Sequence, residues 1–76
     1  MLNIAIIGCG VIAQYHLRAF AKLPTARAAA VCDLRAELAQ KTATEFGVPR
    51  WTTDAAELLA DPGIDAVILA LPTFAR

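Results

Sequence analysis

The chain has 76 residues, of which 58% are hydrophobic and 18% charged, and its formal net charge is zero. This composition is typical of a globular protein and excludes a basic nucleic-acid tail, a polybasic membrane patch and a disordered acidic segment. No apolar run reaches the roughly 18 residues of a membrane span, and no basic segment or cleavage site precedes the first apolar run. We therefore expect a cytoplasmic protein.

The first two predicted elements are a buried strand and a helix. Residues 3–7 form an apolar run, as expected for a strand covered on both faces of a parallel sheet. A helix is predicted from residue 11 to about residue 23, because apolar residues recur at helical spacing and Pro24 then ends the pattern.

The middle of the chain repeats this alternation. Residues 28–32 are predicted to form a second strand, although their alanines favour strands only weakly, so the assignment depends on context. The next helix is predicted over residues 35–46, where Gly47 and Pro49 provide a stop signal.

The last third predicts three further elements. Residues 50–51 are expected to form a short third strand. Asp54 is expected to be the N-cap of a short helix that ends at residue 59, with Glu57 completing a capping box. After a turn at residues 61–63, a buried strand is predicted over residues 64–71, closed by Pro72.

Strands that alternate with helices at this spacing predict parallel βαβ units with right-handed crossovers. The expected fold class is α/β: a Rossmann-like parallel sheet of strand order 3-2-1-4 with helices on both faces. A complete dinucleotide-binding domain has two such halves, so 76 residues correspond to the first half only, truncated. The fourth strand would then be an apolar edge, and we expect further sheet beyond residue 76 or pairing with another chain.

The turn between the first strand and the first helix has the Gly-x-Gly-x-x-Ala pattern of a pyrophosphate site. Gly8 allows the tight turn, and Gly10 allows backbone amides to approach a phosphate. Val11 and Ile12 begin the helix, whose free amides and positive dipole end favour an anion. The small Ala13 lets the helix pack close to the sheet. These features predict a dinucleotide site.

Asp33 follows about 20 residues later, at the end of the second strand. A carboxylate there accepts hydrogen bonds from the ribose hydroxyls of NAD and repels the 2′-phosphate of NADP. The alternative is that Asp33 caps the helix that begins near Leu34. Arg35 could hold a 2′-phosphate, stack on adenine or remain solvated. We therefore expect NAD as the cofactor, with NADP possible.

The remaining reactive side chains predict no catalytic site. Cys9 and Cys32 are expected to be reduced, half-buried thiols near each other, and a metal site is excluded because the single histidine, His16, lies on a helix. Tyr15 and His16 are expected to be packing or surface residues, and Trp51 a core or edge residue. The chain has no serine, so a Ser-His-Asp triad is impossible.

The chain resembles the N-terminal part of the Gfo/Idh/MocA oxidoreductases. The segments that carry the resemblance are residues 6–13, 16, 30–33, 45–49, 64–67 and 71–72. It implies an NAD(P)-dependent dehydrogenase that moves hydride to or from a sugar, inositol or related polyol. It also implies a homo-oligomer with a second, substrate-binding domain.

The resemblance also implies the positions of the cofactor contacts. They are the loop of residues 8–13, Asp33 with Leu34 and Arg35 beside the adenosine, and Leu71 and Pro72 after the fourth strand. The family usually has an asparagine and a histidine where this chain has Thr73 and Arg76. The family's Glu-Lys-Pro motif does not occur in these 76 residues, so we expect no activity from this chain alone.

Two other functions use a similar pattern. A non-catalytic NAD-sensing module of a regulator or ion channel would carry the same glycine turn and acid, because a fold alone does not decide function. A methyltransferase fits less well, because its glycine pattern and the spacing to its acidic residue usually differ.

Overall fold

The computed structural model describes residues 1–70. It confirms the seven predicted elements in the predicted order. Their bounds are β1 Leu2–Ile7, α1 Val11–Phe20, β2 Ala26–Cys32, α2 Ala36–Phe46, β3 Trp51–Thr52, α3 Ala55–Leu59 and β4 Ala66–Leu69.

The four strands form one parallel sheet in the order β3-β2-β1-β4, which confirms the predicted topology. The pairing of β1 with β2 contains a register shift: Ile4 lies opposite Ala28, whereas Ala5 lies opposite Ala30. After the shift, Ile7 lies opposite Cys32, so the carboxyl ends of the two strands are level. The segments that follow both strands therefore start side by side.

The core has two layers of unequal size, one on each face of the sheet. On the first face, α1 and α2 pack together on β1 and β2 around Ile6, Leu17 and Val31. On the second face, Leu58 of α3 is the largest member of a small cluster whose other buried residues are Ala5, Ala30 and Cys32. Helices on both faces were predicted, and the structure confirms them.

Several element ends differ from the prediction. α1 ends at Phe20 and not near residue 23, because its last turn tightens: the amides of Lys22 and Leu23 bond the carbonyls three residues back, at 3.1 Å each. β2 starts two residues earlier than predicted, α2 starts one residue later, and β3 lies one residue further along the chain. β4 begins at Ala66 because the amide of Ile64 belongs to the preceding turn, bonding Asp61 O at 3.1 Å.

The caps of the later helices are partly as predicted. Asp54 is the N-cap of α3, and its Oδ1 accepts the amide of Ala56 at 3.0 Å. The other half of the predicted capping box is wrong. The amide of Asp54 donates to Thr52 Oγ1 at 3.0 Å, and the Thr52 hydroxyl in turn donates to Glu57 at 3.1 Å. Gly47 ends α2 in the left-handed conformation, with φ 66°, as its stop signal predicted.

Within the described residues, β4 is an edge strand that pairs only with β1. The side chain of Leu69 on this strand is 69% exposed. The predicted end of the strand at Leu71 and Pro72 lies outside the described residues. None of the helices in residues 1–70 is long and apolar enough to cross a membrane.

Candidate functional site

The turn after β1 contains two glycines with different roles. Gly8 has φ 102°, a conformation that other residues rarely adopt, and its amide donates to Cys32 O at 2.7 Å. Gly10 has an ordinary φ of −86°, and a Cβ added there would meet no heavy atom within 4 Å. The protein itself therefore has no need of glycine at position 10. The open space beside it is what a bound group approaching the backbone would use.

The start of α1 has neither a side-chain cap nor an acidic residue in its own first turn. Gly10 is the N-cap and contributes no side-chain hydrogen bond, and the first turn contains no acidic residue. The side chains of Val11 and Ile12 are 69% and 47% exposed. The first amides of a helix lack intrahelical partners and lie at the positive end of its dipole, so this helix start suits an anion.

Ala13 has a different role from its neighbours. Its side chain is 0% exposed and belongs to the core cluster with Ile6 and Leu17. Because it faces the sheet, it lets α1 lie close to β1, as its small size predicted. It therefore positions the glycine turn through packing in the core and does not contact a bound group.

Asp33 lies directly beside the glycine turn. Its Oδ2 accepts the amide of Cys9 at 3.0 Å, and its Oδ1 accepts the amide of Arg35 at 2.9 Å. The guanidinium of Arg35 also contacts both oxygens, with Nε 3.0 Å from Oδ1 and Nη2 3.3 Å from Oδ2. The loops after β1 and β2 are therefore joined through one carboxylate.

The alternative role of Asp33 as a helix cap is wrong. α2 begins at Ala36, and its N-cap is Arg35. Asp33 instead accepts the amide two residues ahead, which is an Asx turn between β2 and the helix.

Asp33 is held in its charged form. Partial burial is the largest single effect on its pKa and raises it. The hydrogen bonds from Arg35 and from the amide of Cys9 lower the pKa, and together they outweigh the burial, so the pKa lies below the usual range. The side chain is only 10% exposed. At neutral pH the site therefore presents a fixed carboxylate that can only accept hydrogen bonds.

A cleft of about 470 Å³ opens between the ends of the strands around Asp33. Four of its lining residues were predicted as site residues and four were not, whereas the predicted loop residues 10–13 do not line it. The lining residues are Ile7, Gly8, Cys32, Asp33, Leu34, Arg35, Thr53 and Ala55. Thr53 follows β3, and the rule that ligands bind beyond the carboxyl ends of parallel strands was the signal that could have identified it.

Both cysteines are free thiols, and Cys32 lines this cleft whereas Cys9 does not. Cys9 Sγ lies 3.5 Å from the carbonyl oxygen of Cys32, which confirms that they are neighbours. They are buried, at 1% and 3% exposure, and not half-buried as predicted. Burial is the main effect that raises the pKa of both thiols, and the charge of Asp33 adds to it. Neither is therefore an activated nucleophile.

The other singled-out side chains do not line the cleft. The ring of His16 stacks on Phe20, with ring centroids 6.5 Å apart. Tyr15 is 68% exposed, and Trp51 is 41% exposed on the outermost strand β3. Leu71 and Pro72, the remaining predicted cofactor contacts, lie outside the described residues.

The match to a known family covers almost the whole chain. Residues 2–76 match the Gfo/Idh/MocA family, described as an oxidoreductase family with an NAD-binding Rossmann fold. The chain belongs to the Gfo/Idh/MocA oxidoreductases. It covers their NAD-binding Rossmann portion, which confirms the resemblance seen in the sequence.

Named relatives of this Gfo/Idh/MocA chain are longer proteins. It is 39% identical over 70 residues to scyllo-inositol 2-dehydrogenase (NAD(+)) of Bacillus subtilis, a match that covers 91% of this chain and 20% of that enzyme. The chain thus spans about a fifth of the length of the curated relatives it matches.

Solved structures agree with this assignment. A probable dehydrogenase from Thermotoga maritima superposes with a TM-score of 0.89 at 30% identity, over 97% of this chain and 22% of that one. An oxidoreductase from Agrobacterium radiobacter, solved in complex with NAD+, L-tartaric acid and magnesium, gives a TM-score of 0.87 at 35% identity, with the same coverage.

Proposed function

We propose that this chain holds the adenosine and pyrophosphate of NAD, as the cofactor-binding part of an oxidoreductase that transfers hydride to or from a sugar, inositol or related polyol. The observation that carries the proposal is the junction of two loops through Asp33, whose carboxylate accepts the amide of Cys9 at 3.0 Å. This contact sets an acid beside the start of α1. A dinucleotide needs that pair, because its ribose hydroxyls donate hydrogen bonds and its pyrophosphate accepts them.

The cleft and the neighbouring start of α1 each have a role in this proposal. The amides at the start of α1, beside Gly10, would receive the pyrophosphate, since the helix offers uncompensated donors and no Cβ intervenes. Asp33 would accept the ribose hydroxyls. Leu34 and Thr53 would border the adenine, with Leu34 91% exposed and free to cover an apolar ring.

The chemistry would come from the bound cofactor and from residues outside this cleft. NAD supplies hydride transfer at its nicotinamide ring, and the protein supplies binding and orientation. The polyol class of substrate is supported by the relative named scyllo-inositol 2-dehydrogenase. Among the residues that line the cleft, only Asp33 is a carboxylate, and it is engaged by four donors. We therefore expect the 76-residue chain alone to show no turnover of NAD with inositols.

Two further parts of the proposal concern the setting of the protein. We propose a cytoplasmic location, supported by the free thiols Cys9 and Cys32, which persist in a reducing compartment. We also propose a homo-oligomer, as the family resemblance implies. Separately, we propose that a further strand or another chain covers the edge of β4, because Leu69 there is exposed.

The test is a titration of the chain with NAD and with NADP, in which calorimetry or NMR measures the affinity for each cofactor. Asp33→Asn is expected to weaken NAD about tenfold or more, because two charge-assisted hydrogen bonds to the ribose are lost. NADP is expected to weaken less, because its 2′-phosphate replaces one of the hydroxyls and is repelled by the carboxylate.

Asp65→Asn is the matched control. It removes the same charge at the opposite end of the sheet, where Asp65 accepts the amide of Asn3 at 2.7 Å. NAD affinity is expected to stay within about twofold in that variant. Equal losses of NAD and NADP in Asp33→Asn, or no loss of either, would remove the ribose-binding role.

A further inference from the structure

The carboxylate of Asp33 has no acceptor position left for a ligand in this structure. A carboxylate offers about four such positions. The four donors on Asp33 are the amides of Cys9 and Arg35 and the Nε and Nη2 groups of the Arg35 side chain, at 2.9–3.3 Å. Two ribose hydroxyls therefore cannot bind Asp33 unless two of these donors leave.

The two amide donors are fixed by the backbone. Cys9 directly follows Gly8, whose amide is bonded to Cys32 O at 2.7 Å. Arg35 is the N-cap of α2, and its carbonyl accepts the amide of Ala39 at 3.0 Å. Neither amide can withdraw without opening a loop or the first turn of a helix.

The two donors of the Arg35 guanidinium, Nε and Nη2, can move away from Asp33. Its side chain is 70% exposed, whereas that of Asp33 is 10% exposed. An ion pair with one exposed partner is weaker than a fully buried pair, since solvent competes for the exposed guanidinium. A ligand can displace such a group at an expense of only a few-fold in affinity.

We infer that Arg35 competes with the adenosine ribose for Asp33 and thereby determines cofactor specificity. Its guanidinium lowers the affinity for NAD and raises the affinity for NADP. The inference rests on the proposed function, because it assigns a role within the same cleft. Without Arg35, a 2′-phosphate would meet a bare carboxylate. With Arg35 in place the pair is neutral, and a guanidinium released from Asp33 presents the planar donor fork that suits a phosphate.

The two cofactors therefore make opposite use of one side chain. NAD has to displace the guanidinium and gains nothing from its charge at the ribose. NADP displaces it as well, but its 2′-phosphate then binds it. Stacking of Arg35 on adenine is the competing role, and it predicts that NAD loses affinity when the guanidinium is removed.

The experiment compares the 76-residue chain with its Arg35→Met variant, which keeps the apolar stem and the backbone amide but removes both side-chain donors. NAD is expected to bind about two- to fivefold more tightly to Arg35→Met, the range that an exposed ion pair contributes. NADP is expected to bind about tenfold more weakly. Arg18→Met is the control for charge, since Arg18 is an exposed arginine in the last turn of α1, and it should change both affinities by less than about twofold.

A second readout follows the guanidinium directly. The NMR signal of the Arg35 Nε–H group is expected to move toward the position of a solvated arginine when NAD is added, and in another direction when NADP is added. An unchanged or weakened NAD affinity in Arg35→Met, or equal changes for both cofactors, would overturn the inference.

The outcomes separate this inference from the function beneath it. If the unmodified chain binds neither cofactor, or if Asp33→Asn leaves NAD binding unchanged, both the proposed function and the role of Arg35 are wrong. If NAD binding depends on Asp33 but does not tighten in Arg35→Met, only the role of Arg35 is wrong.

Discussion

Leu58 is the residue whose loss tests the thin second face of the sheet. Its side chain is 1% exposed and is the largest in the cluster that joins α3 to Ala5 and Ala30. Leu58→Ala removes three carbon atoms, which at about 0.8 kcal/mol each corresponds to about 2.4 kcal/mol of lost burial. The alanines opposite are too short to fill the space, so a cavity adds about 1 kcal/mol. We expect a loss of about 3–4 kcal/mol in the free energy of unfolding.

The assay is urea unfolding followed by circular dichroism, with midpoint and slope compared between variants. Leu59→Ala is the matched control, because it makes the same change at the next position of the same helix, where the side chain is 67% exposed. We expect that variant to lose no more than about 0.5 kcal/mol. Leu58→Met, which conserves volume, should lose less than about 1.5 kcal/mol.

The comparison has a clear refuting result. If Leu59→Ala destabilises the chain as much as Leu58→Ala, then α3 is not held to the sheet by the side that the structure shows. A loss below about 1 kcal/mol in the free energy of unfolding of Leu58→Ala would mean that burial of Leu58 contributes little to the folded state. That result would also refute the argument that Leu58 holds α3 on the sheet.

Two further predictions concern carboxylates. Because the pKa of Asp33 is lowered in the folded chain, its stabilising effect is present above the unfolded pKa of about 3.9 and is lost as the pH falls through the folded pKa. Asp33→Asn should therefore destabilise the chain at pH 7 and less so at pH 3 in urea unfolding; an equal or larger loss at pH 3 would contradict this sign. Asp54→Ala should lower the free energy of unfolding by about 1 kcal/mol, since the amide of Ala56 loses its cap, and Asp54→Asn, which keeps an acceptor, should lose less than half of that.

The sequence predicted the order of the elements and the strand order well, because both follow from long-range patterning. Apolar runs that predict strands alternate with segments of helical periodicity, and Gly8, Pro24 and Gly47 mark where individual elements end. The ends of the elements were less predictable because single hydrogen bonds in the adjoining turns set them. The amide of Ile64, for example, bonds Asp61 O at 3.1 Å, which keeps Ile64 out of β4.

The candidate site was predicted as a set of backbone positions, but not in its side-chain arrangement. Gly8 and Asp33 were identified because their conformational and chemical requirements are visible in the residue types. The placement of the Arg35 guanidinium depends on the turn between β2 and α2, whose geometry the sequence does not reveal. Thr53 was missed although the short third strand was predicted, because the rule that ligands bind beyond the carboxyl ends of parallel strands was not applied to that strand.

The register shift between β1 and β2 constrains where the length of this chain can vary. Ala29 is the unpaired residue of this shift, so its deletion would let Ala30 follow Ala28 in a regular ladder and leave Asp33 in place. Deleting Val31 instead would draw Asp33 back along the sheet by about 3.3 Å and exchange the faces of the side chains on one side of the deletion. Residues added to the exposed turn around Lys22 and Pro24 would leave the carboxylate in place. Relatives that differ in the number of residues between the glycine turn and the acid should therefore differ in this turn or by the single residue at Ala29, and an alignment that places a gap between Ala30 and Asp33 should be mistrusted.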